Sequence, residues 1–486
     1  MTAENHSYLN RLGKWFDARL GFSYSLLRPV PAYAINPFYW LGALPVVAFL
    51  IQGVSGVLMM LYYVPSPAEA YTSTQYIFNR VYYGRFLETV HLYTAYAMIM
   101  LAFAHMMRDY FVSVHKKPRE LMWIVGMIMG FVTLGFGFTG YLLPWTVVSK
   151  SATDVGVGMI AALPPQISAL TSFLIVGAGG DATELLRFYD LHVAVLPALL
   201  LALLTVKLYM LEVHGISEPT DTTKETSQIA FFPDVVVYLM ELAAIFGAAM
   251  LLVSAIFPLT LPPPYTPELA SQFIPQPDWY FLWIYQILKI SIFEGYRGLP
   301  IALSIVTLIF LALVLLPFID RGTTGTATKR PIFVTLGLIF VGELVVLAYW
   351  GLKTPGQIIP NEQAVLVLGG SALLISVISF GSLRFFKRAS RNPLPQTAAR
   401  KSSALSSAAA FVLIVSLGAL MIGACLSSIL QIILDGASYA NVSKVIVAGV
   451  GLTFTLIASI AFMYRLESRS GRLARKVGLL ERMMKL

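Results

Sequence analysis

Long apolar runs recur along the whole chain and constrain its fold more than any other feature. A helix needs about 20 apolar residues to cross roughly 30 Å of hydrocarbon, and it satisfies its own backbone hydrogen bonds. The sequence therefore predicts an all-α, polytopic membrane helix bundle of about ten transmembrane helices. The ten runs cover approximately residues 37–63, 87–107, 121–143, 189–212, 233–258, 300–319, 331–351, 364–383, 404–433 and 444–464.

Lysine and arginine are distributed unevenly between alternate loops. If the N-terminus is cytoplasmic, 25 of the 34 basic residues fall in cytoplasmic segments and 8 in outer loops. This distribution follows the positive-inside rule. The placement of the basic residues therefore accounts for the net charge of +9 as a signal of membrane orientation, and we expect no nucleic-acid partner. We expect both termini in the cytoplasm. The remaining basic residue, Lys207, lies inside the fourth apolar run.

Polar stretches divide the chain into three predicted blocks. Residues 1–225 contain the first four helices, and residues 226–390 contain helices five to eight. A basic stretch rich in Ser, Ala and Pro then precedes a two-helix extension at 391–486. The two long outer segments, 144–188 and 258–298, are broken by Gly and Pro and predict short helices on the membrane surface.

The single cysteine limits the cofactor chemistry of the chain. With Cys425 alone, the sequence excludes a disulfide framework, an iron-sulfur ligand set and a C-x-x-C-H attachment for covalent heme. Any redox cofactor must therefore be held by other side chains. All six histidines lie in the first 214 residues, and His91, His105 and His192 lie within predicted spans.

The intramembrane histidines have a spacing that suits two hemes. His91 and His105 are 14 residues apart on one helix, about 40° apart in direction and about 21 Å apart in depth. The fourth helix carries His192 and, 15 residues later, Lys207 at matching depths. Because neutral imidazole is an axial ligand of heme iron, we pair His91 with His192 (the outer pair) and His105 with Lys207 (the inner pair).

Four glycines repeat the same spacing on the neighbouring helices. Gly42 and Gly56 in the first helix, and Gly126 and Gly140 in the third, are each 14 residues apart. They predict room for a flat macrocycle at both levels. Interhelical hydrogen bonding is the alternative interpretation of a single buried histidine, but it does not account for three histidines and four glycines at two matching levels.

Several motifs resemble cytochrome b of the bc complexes, especially the chloroplast type. The resemblance covers about residues 30–350, and the two halves that are separate chains in the chloroplast type are fused here. The matching stretches are Lys-Lys-Pro-Arg-Glu-Leu at 116–121, Gly-Tyr-Leu-Leu-Pro-Trp at 140–145, Arg-Phe-Tyr-Asp-Leu-His at 187–192, Gly-Ile-Ser-Glu-Pro at 215–219 and Pro-Asp-Trp-Tyr at 277–280.

This resemblance implies a quinol-oxidising membrane enzyme with two non-covalent hemes. Quinol would be oxidised at the outer face, with one electron passing to a Rieske iron-sulfur protein and the other crossing to a second quinone site. A cytochrome or another downstream acceptor would follow. By analogy we expect a homodimer in a prokaryotic plasma membrane, in contact with lipid. Trp40 occupies the place of the cysteine that anchors an extra covalent heme, so none is expected.

The resemblance also implies roles for individual residues. Asp278 takes the place of the family glutamate as proton acceptor, with Tyr141 and Tyr280 completing the predicted catalytic group. Arg108 and Arg187 keep positions that fit heme propionates. An interfacial turn with aromatic-belt residues is the structural alternative for the Pro-Asp-Trp-Tyr stretch.

Lys207 is the largest departure, because the family has histidine there. Three outcomes are open. A deprotonated Lys207 amine ligates iron, or a charged Lys207 lies beside a propionate or quinone, or His214 substitutes from about 10 Å deeper. We favour ligation, because a solitary charged lysine at this depth is costly.

Two other functions remain as alternatives at the level of sequence. A membrane-anchor diheme cytochrome that links a dehydrogenase to quinone would explain the histidines without a Rieske partner. A transporter would use Lys207 and Glu343 as coupling residues and would be colourless.

Overall fold

The computed structural model describes residues 29–163, 165–173, 180–217, 227–322 and 329–389, with a few isolated residues elsewhere. The predicted runs at 404–433 and 444–464 lie outside the described residues. The main elements follow in chain order: β1 (Pro29–Pro31), α1 (Ala43–Met60), α2 (Ala70–Arg80), α3 (Gly84–Phe111), α4 (Glu120–Leu142), α5 (Val147–Ala161), α6 (Pro165–Thr171), α7 (Asp181–His214), β2 (Gln228–Ala230), α8 (Phe231–Ile256), α9 (Pro267–Gln272), α10 (Leu282–Leu288), α11 (Gly295–Val314), α12 (Leu316–Ile319), α13 (Pro331–Lys353) and α14 (Asn361–Ala364, continuing to Ala389).

Within the described part of the chain, seven helices are long and apolar enough to cross a membrane. They are α1, α3, α4, α7, α8, α13 and α14, and the apolar part of α11 is shorter. These eight helices coincide with the first eight predicted runs. The prediction of an all-α, multi-span membrane protein is confirmed. The outer segments contain α5 and α6 in one case and α9 and α10 in the other, so their short helices were predicted correctly.

The described residues form two compact units. The first takes in the described parts of 1–47, 222–257 and 396–486. In it β1 pairs antiparallel with β2, with Val30 opposite Ile229, and α8 follows directly. The Trp40 indole donates a 2.7 Å hydrogen bond to the Ala34 carbonyl and closes the turn before α1. The three-block division at 225 and 390 stays a prediction.

The second unit takes in the described parts of 48–221 and 258–395 and contains most of the predicted site. Here α3 packs against α2, α4 and α13, and α4 packs against α7 and α11. A core cluster joins α2, α4 and α7 at one end of the bundle. This packing places α3, with His91 and His105, and α7, with His192 and Lys207, against the same helix, α4. The members of the cluster are Ala70, Leu142, Trp145, Leu185 and Phe188.

Helix α7 is not regular along its length. Residues Leu191–Val195 form a π-helical turn that continues into the α-helix from Leu196. Pro197 has no N–H to donate and its ring would crowd the carbonyl four residues earlier, so the wider turn accommodates it. His192 lies within this turn, and π turns occur frequently at functional sites.

A buried ion cluster joins the α3–α4 loop to the segment that connects α12 with α13. Asp320 accepts hydrogen bonds from His115 (3.0 Å), from Lys116 (3.0 Å) and from Arg330. Arg330 also donates to Ser113. Burial favours the neutral acid, but the hydrogen bonds from Lys116, His115 and Arg330 outweigh it and hold the pKa of Asp320 below its usual range. The ionised carboxylate therefore links two loops that are distant in sequence.

Removing this carboxylate should destabilise the chain. Asp320→Ala leaves the buried Arg330 guanidinium without its counter-ion, so we expect the free energy of unfolding to fall by about 3–5 kcal/mol. Detergent-induced unfolding in mixed micelles measures the change. Glu362→Ala, which removes an exposed carboxylate at the start of α14, is the control. Equal stability of the two variants would contradict this assignment.

Candidate heme and quinol site

The outer pair is formed in the structure. The imidazole rings of His91 on α3 and His192 on α7 have their centres 6.3 Å apart, with an angle of 61° between the ring planes. Two imidazoles that bind one metal ion from opposite sides have ring centres roughly 6 Å apart, given metal–nitrogen bonds of about 2 Å. The separation of the two rings therefore fits a shared metal centre.

A hydroxyl group lies beside Nδ1 of each outer imidazole. Ser55 Oγ lies 2.8 Å from His91 Nδ1, and Thr139 Oγ1 lies 3.1 Å from His192 Nδ1. Each hydroxyl also donates its single proton to a backbone carbonyl of its own helix, that of Ile51 or Gly135. This arrangement fits the tautomer in which Nδ1–H donates to the hydroxyl oxygen. In that tautomer both Nε2 atoms have free lone pairs, which is the form that ligates iron.

The predicted glycines contact these side chains directly. A Cβ at Gly140 would lie 2.5 Å from His192 Cε1, and one at Gly56 would lie 3.4 Å from His91 Cε1. A Cβ at Gly126 would lie 2.7 Å from Lys207 Nζ. Three of the four glycines therefore lie beside a predicted ligand. Gly42 lies in the turn just before α1.

The inner pair differs from the outer pair. His105 Nε2 lies 3.6 Å from Asp109 Oδ2 on the next turn of α3, and its Nδ1 is buried without a hydrogen-bond partner. Lys207 is near enough to His105 to act on it electrostatically. No hydrogen bond or ion pair joins Lys207 to another of the described residues. The imidazole of His105 and the amine of Lys207 thus share one level, and their donor chemistry fits a bound iron.

The two predicted propionate-binding arginines have protein partners in the structure. Arg108 donates to Asp109 Oδ1 at 2.7 Å and to Ser217 Oγ at 3.4 Å. Arg187 donates to the Phe173 carbonyl, and its guanidinium lies 5.7 Å from the centre of the Phe173 ring. Their role toward heme propionates stays a prediction.

Asp278 lies in the segment before α10 and is held at both carboxylate oxygens. The Tyr96 hydroxyl of α3 donates to Oδ2 at 2.8 Å, and the Trp279 backbone N–H donates to Oδ1 at 3.1 Å. Burial raises the pKa of Asp278 above its usual value, while the two hydrogen bonds oppose the rise. The carboxyl group is therefore partly buried and held in a fixed orientation.

Two further predicted residues surround this carboxylate. Tyr280 is buried against α4, where its hydroxyl lies 2.8 Å from the position of a Cβ at Gly137. Burial and the nearby Asp278 raise the pKa of Tyr280 well above its ordinary value. Tyr141 is also near enough to Asp278 for an electrostatic interaction. The structure thus brings Asp278, Tyr141 and Tyr280 together.

Sequence reasoning missed four residues of the site. Ser55 and Thr139 each directly precede one of the outer-level glycines, so a hydroxyl-glycine pair in an apolar helix was the available signal. Asp109 is one turn from His105, a spacing that the sequence also shows. Tyr96 lies five residues after His91, and nothing local connects it with Asp278.

Two family models match the chain. The description of the first is cytochrome b (N-terminal)/b6/petB, and it matches residues 96–264. The second is cytochrome b (C-terminal)/b6/petD, and it matches residues 271–369. Together they cover more than half of the chain. This chain belongs to the cytochrome b family.

Relatives agree with this assignment. The cytochrome bc complex cytochrome b subunit of Chlorobaculum thiosulfatiphilum is 33% identical over 347 residues, which are 69% of this chain and 79% of the relative. Cytochrome b of Sulfolobus acidocaldarius is 31% identical over 397 residues, 74% of this chain and 69% of the relative. Cytochrome b6 of Heliobacterium mobile is 40% identical over 191 residues, 39% of this chain and 90% of the relative.

A solved structure extends the likeness to three dimensions. A chain of a hyperthermophilic respiratory Complex III superposes with a TM-score of 0.61 and 26% identity, covering 76% of this chain and 96% of that chain. The chain is thus a multi-pass cytochrome b subunit of a bc-type complex, and that complex is an oxidoreductase. Its family binds b-type heme. The predicted fusion of the two halves is confirmed.

The contact between Gly140 and His192 gives a testable consequence. Gly140→Ala places a methyl group where the His192 ring lies, and overpacking of this kind costs about 1–3 kcal/mol. We expect this variant to retain less heme per chain in pyridine-hemochrome assays. Gly130→Ala on the same helix meets no atom within 4 Å and should retain the wild-type amount. Equal heme content in the two variants would show that the ring position is unimportant.

Proposed function

We propose that this cytochrome b binds two b-type hemes and oxidises quinol at the outer face of the membrane. The observation that carries the proposal is the outer pair, in which the two imidazole rings have their centres 6.3 Å apart and each Nδ1 lies beside a hydroxyl group. In a bilayer interior, two buried lone pairs require a common acceptor, and heme iron is the acceptor that this family uses. Bound heme would supply one-electron transfer at each of the two levels.

The residues of the chain have separate tasks in this proposal. His91 and His192 ligate the outer iron, while Ser55 and Thr139 hold their rings in the ligating tautomer. The glycines leave space beside the ligands, and Arg108 and Arg187 bind propionates. His105 and Lys207 ligate the inner iron.

The surroundings of Lys207 support its proposed role as a ligand of the inner iron. Within the described residues it forms no hydrogen bond or ion pair, and the carboxylate that acts on it, Asp109, already pairs with Arg108. A charged amine at this depth is costly, whereas a neutral amine has a lone pair for iron.

Asp278 is the proposed proton acceptor for quinol. Burial raises its proton affinity, and two hydrogen bonds hold the carboxylate in place. The proton of one quinol hydroxyl would pass to Asp278, and Tyr141 and Tyr280 would lie beside that hydroxyl.

The remaining parts of the proposal concern partners and location. A Rieske iron-sulfur protein accepts one electron, a second quinone site lies on the cytoplasmic side, and a cytochrome or similar carrier acts downstream. The complex is a homodimer in a prokaryotic plasma membrane. Residues 1–225 form the diheme block, residues 226–390 complete the quinone sites and residues 391–486 are an extension. No covalent heme is expected, since Trp40 replaces the anchoring cysteine.

The alternatives account for fewer observations. A dehydrogenase anchor would explain the histidines but not the placement of Asp278 among Tyr96, Tyr141 and Tyr280. A transporter would not explain why the imidazoles of His91 and His192 lie together with a hydroxyl group beside each Nδ1. Membership of the cytochrome b family also favours the quinol-oxidising interpretation.

The role of Asp278 can be tested with Asp278→Asn in the purified complex. The amide cannot accept the proton, so we expect quinol oxidation to slow by about 100-fold, with the optical heme spectrum unchanged. Glu268→Gln, which removes an exposed carboxylate from the same outer segment, serves as the matched control. A wild-type rate in Asp278→Asn would remove this residue from the mechanism.

The role of Lys207 can be tested spectroscopically, without an activity assay. Lys207→Ala should change the electron paramagnetic resonance and magnetic circular dichroism signals of one heme and leave the other intact. Lys207→His, which supplies the ligand of the family pattern, should give a bis-histidine signal at the same heme. Unaltered signals in Lys207→Ala would rule out ligation.

A further inference from the structure

Tyr96 connects the heme-ligand helix to the proposed proton acceptor. It lies on α3, five residues after His91, and its hydroxyl donates a 2.8 Å hydrogen bond to Asp278 Oδ2. The two residues are 182 positions apart in the chain. The other carboxylate oxygen accepts from the Trp279 N–H, a donor that moves with the Asp278 segment itself. Tyr96 is therefore the donor that fixes this carboxylate relative to α3.

Ring packing holds Tyr96 in the orientation that this hydrogen bond needs. Its ring lies edge-on to Trp279, with centres 6.2 Å apart, and tilted against Tyr280, with centres 6.3 Å apart. Aromatic pairs at these separations stabilise one another. The phenol thus contacts both residues that follow Asp278, so its position is determined by packing as well as by the hydrogen bond.

We propose that Tyr96 is a positioning residue for quinol oxidation: its hydroxyl holds the Asp278 carboxylate in its ionised, proton-accepting form and orients it. This inference rests on the proposed function. It also explains how an aspartate can accept the quinol proton at a position where the family pattern has glutamate. Aspartate is one methylene shorter, and a donor that reaches it from α3 fixes the carboxylate at a defined place.

The electrostatic surroundings determine the sign of the effect. The titratable groups that face Tyr96 are Asp278, Tyr280 and Tyr141. Burial favours the neutral form of Asp278, while the Tyr96 hydroxyl and the Trp279 N–H favour the ionised form. Without the hydroxyl, the pKa of Asp278 rises further. A base with a raised pKa stays protonated up to a higher pH, and in that form it cannot accept a proton. The acid limb of the pH profile of quinol oxidation therefore moves to higher pH.

The test is the pH profile of quinol oxidation by the purified complex carrying Tyr96→Phe. The hydroxyl stabilises the ionised carboxylate more than the neutral acid, so we expect its removal to move the acid limb up by about one pH unit. On the acid side the rate falls about tenfold, and at alkaline pH, where Asp278 is ionised in both proteins, only the smaller loss that comes from the lost orientation remains. Optical heme spectra stay unchanged.

Two further variants separate positioning from damage to the fold. Tyr110→Phe removes a phenol hydrogen bond (2.6 Å, to the Phe333 carbonyl) from the far end of the same helix and should leave the profile unchanged. In the Tyr96→Phe background, Asp278→Glu adds the missing methylene and should recover part of the lost rate.

The outcomes distinguish this inference from the proposed function. A loss in Tyr96→Phe that is equal at every pH, or an unchanged profile, overturns the positioning role. If Asp278→Asn is slow while Tyr96→Phe behaves as wild type, only the inference fails. If Asp278→Asn itself retains the wild-type rate, the proposed function and the inference fail together. If the double variant Tyr96→Phe, Asp278→Glu is no faster than Tyr96→Phe alone, Tyr96 does not compensate for the shorter side chain of aspartate.

Discussion

Two hydrogen bonds, from His91 to Ser55 and from His192 to Thr139, are the interactions on which the rest of the site depends. Because both hydroxyls also hydrogen-bond to backbone carbonyls, their placement fits the tautomer in which Nδ1–H donates and Nε2 is unprotonated. Two such lone pairs buried together would be unfavourable unless they share a ligand. The local hydroxyl-carbonyl bonds of α1 and α4 thus determine the chemistry available to the histidines of α3 and α7.

The two levels of the bundle are chemically different. At the outer level each imidazole has a hydroxyl partner, whereas at the inner level His105 Nδ1 has none and Lys207 stands opposite. The residues before the glycines follow the same division: Ser55 and Thr139 precede Gly56 and Gly140, while apolar residues precede Gly42 and Gly126. An imidazole with a strong Nδ1 acceptor is the better electron donor to iron. The proposal therefore implies two irons in unlike environments.

Sequence alone predicted the spans and the ligand candidates but not their supporting contacts. Hydropathy determines where a helix crosses a membrane, and a 14-residue spacing places two side chains on one helix face, so these features are local. The Ser55–His91 and Thr139–His192 contacts join residues 36 and 53 positions apart. The Lys116–Asp320 ion pair spans 204 positions. Such contacts depend on which helices become neighbours, which periodicity does not encode.

The number of hemes tests the central claim most directly. Pyridine-hemochrome analysis of the purified chain, combined with a redox titration, gives the type, number and midpoint potentials of the hemes in one preparation. The account predicts two b-type hemes per chain, with two separate midpoint potentials that reflect the unlike outer and inner pairs. A colourless protein, or a single heme per chain, would contradict it.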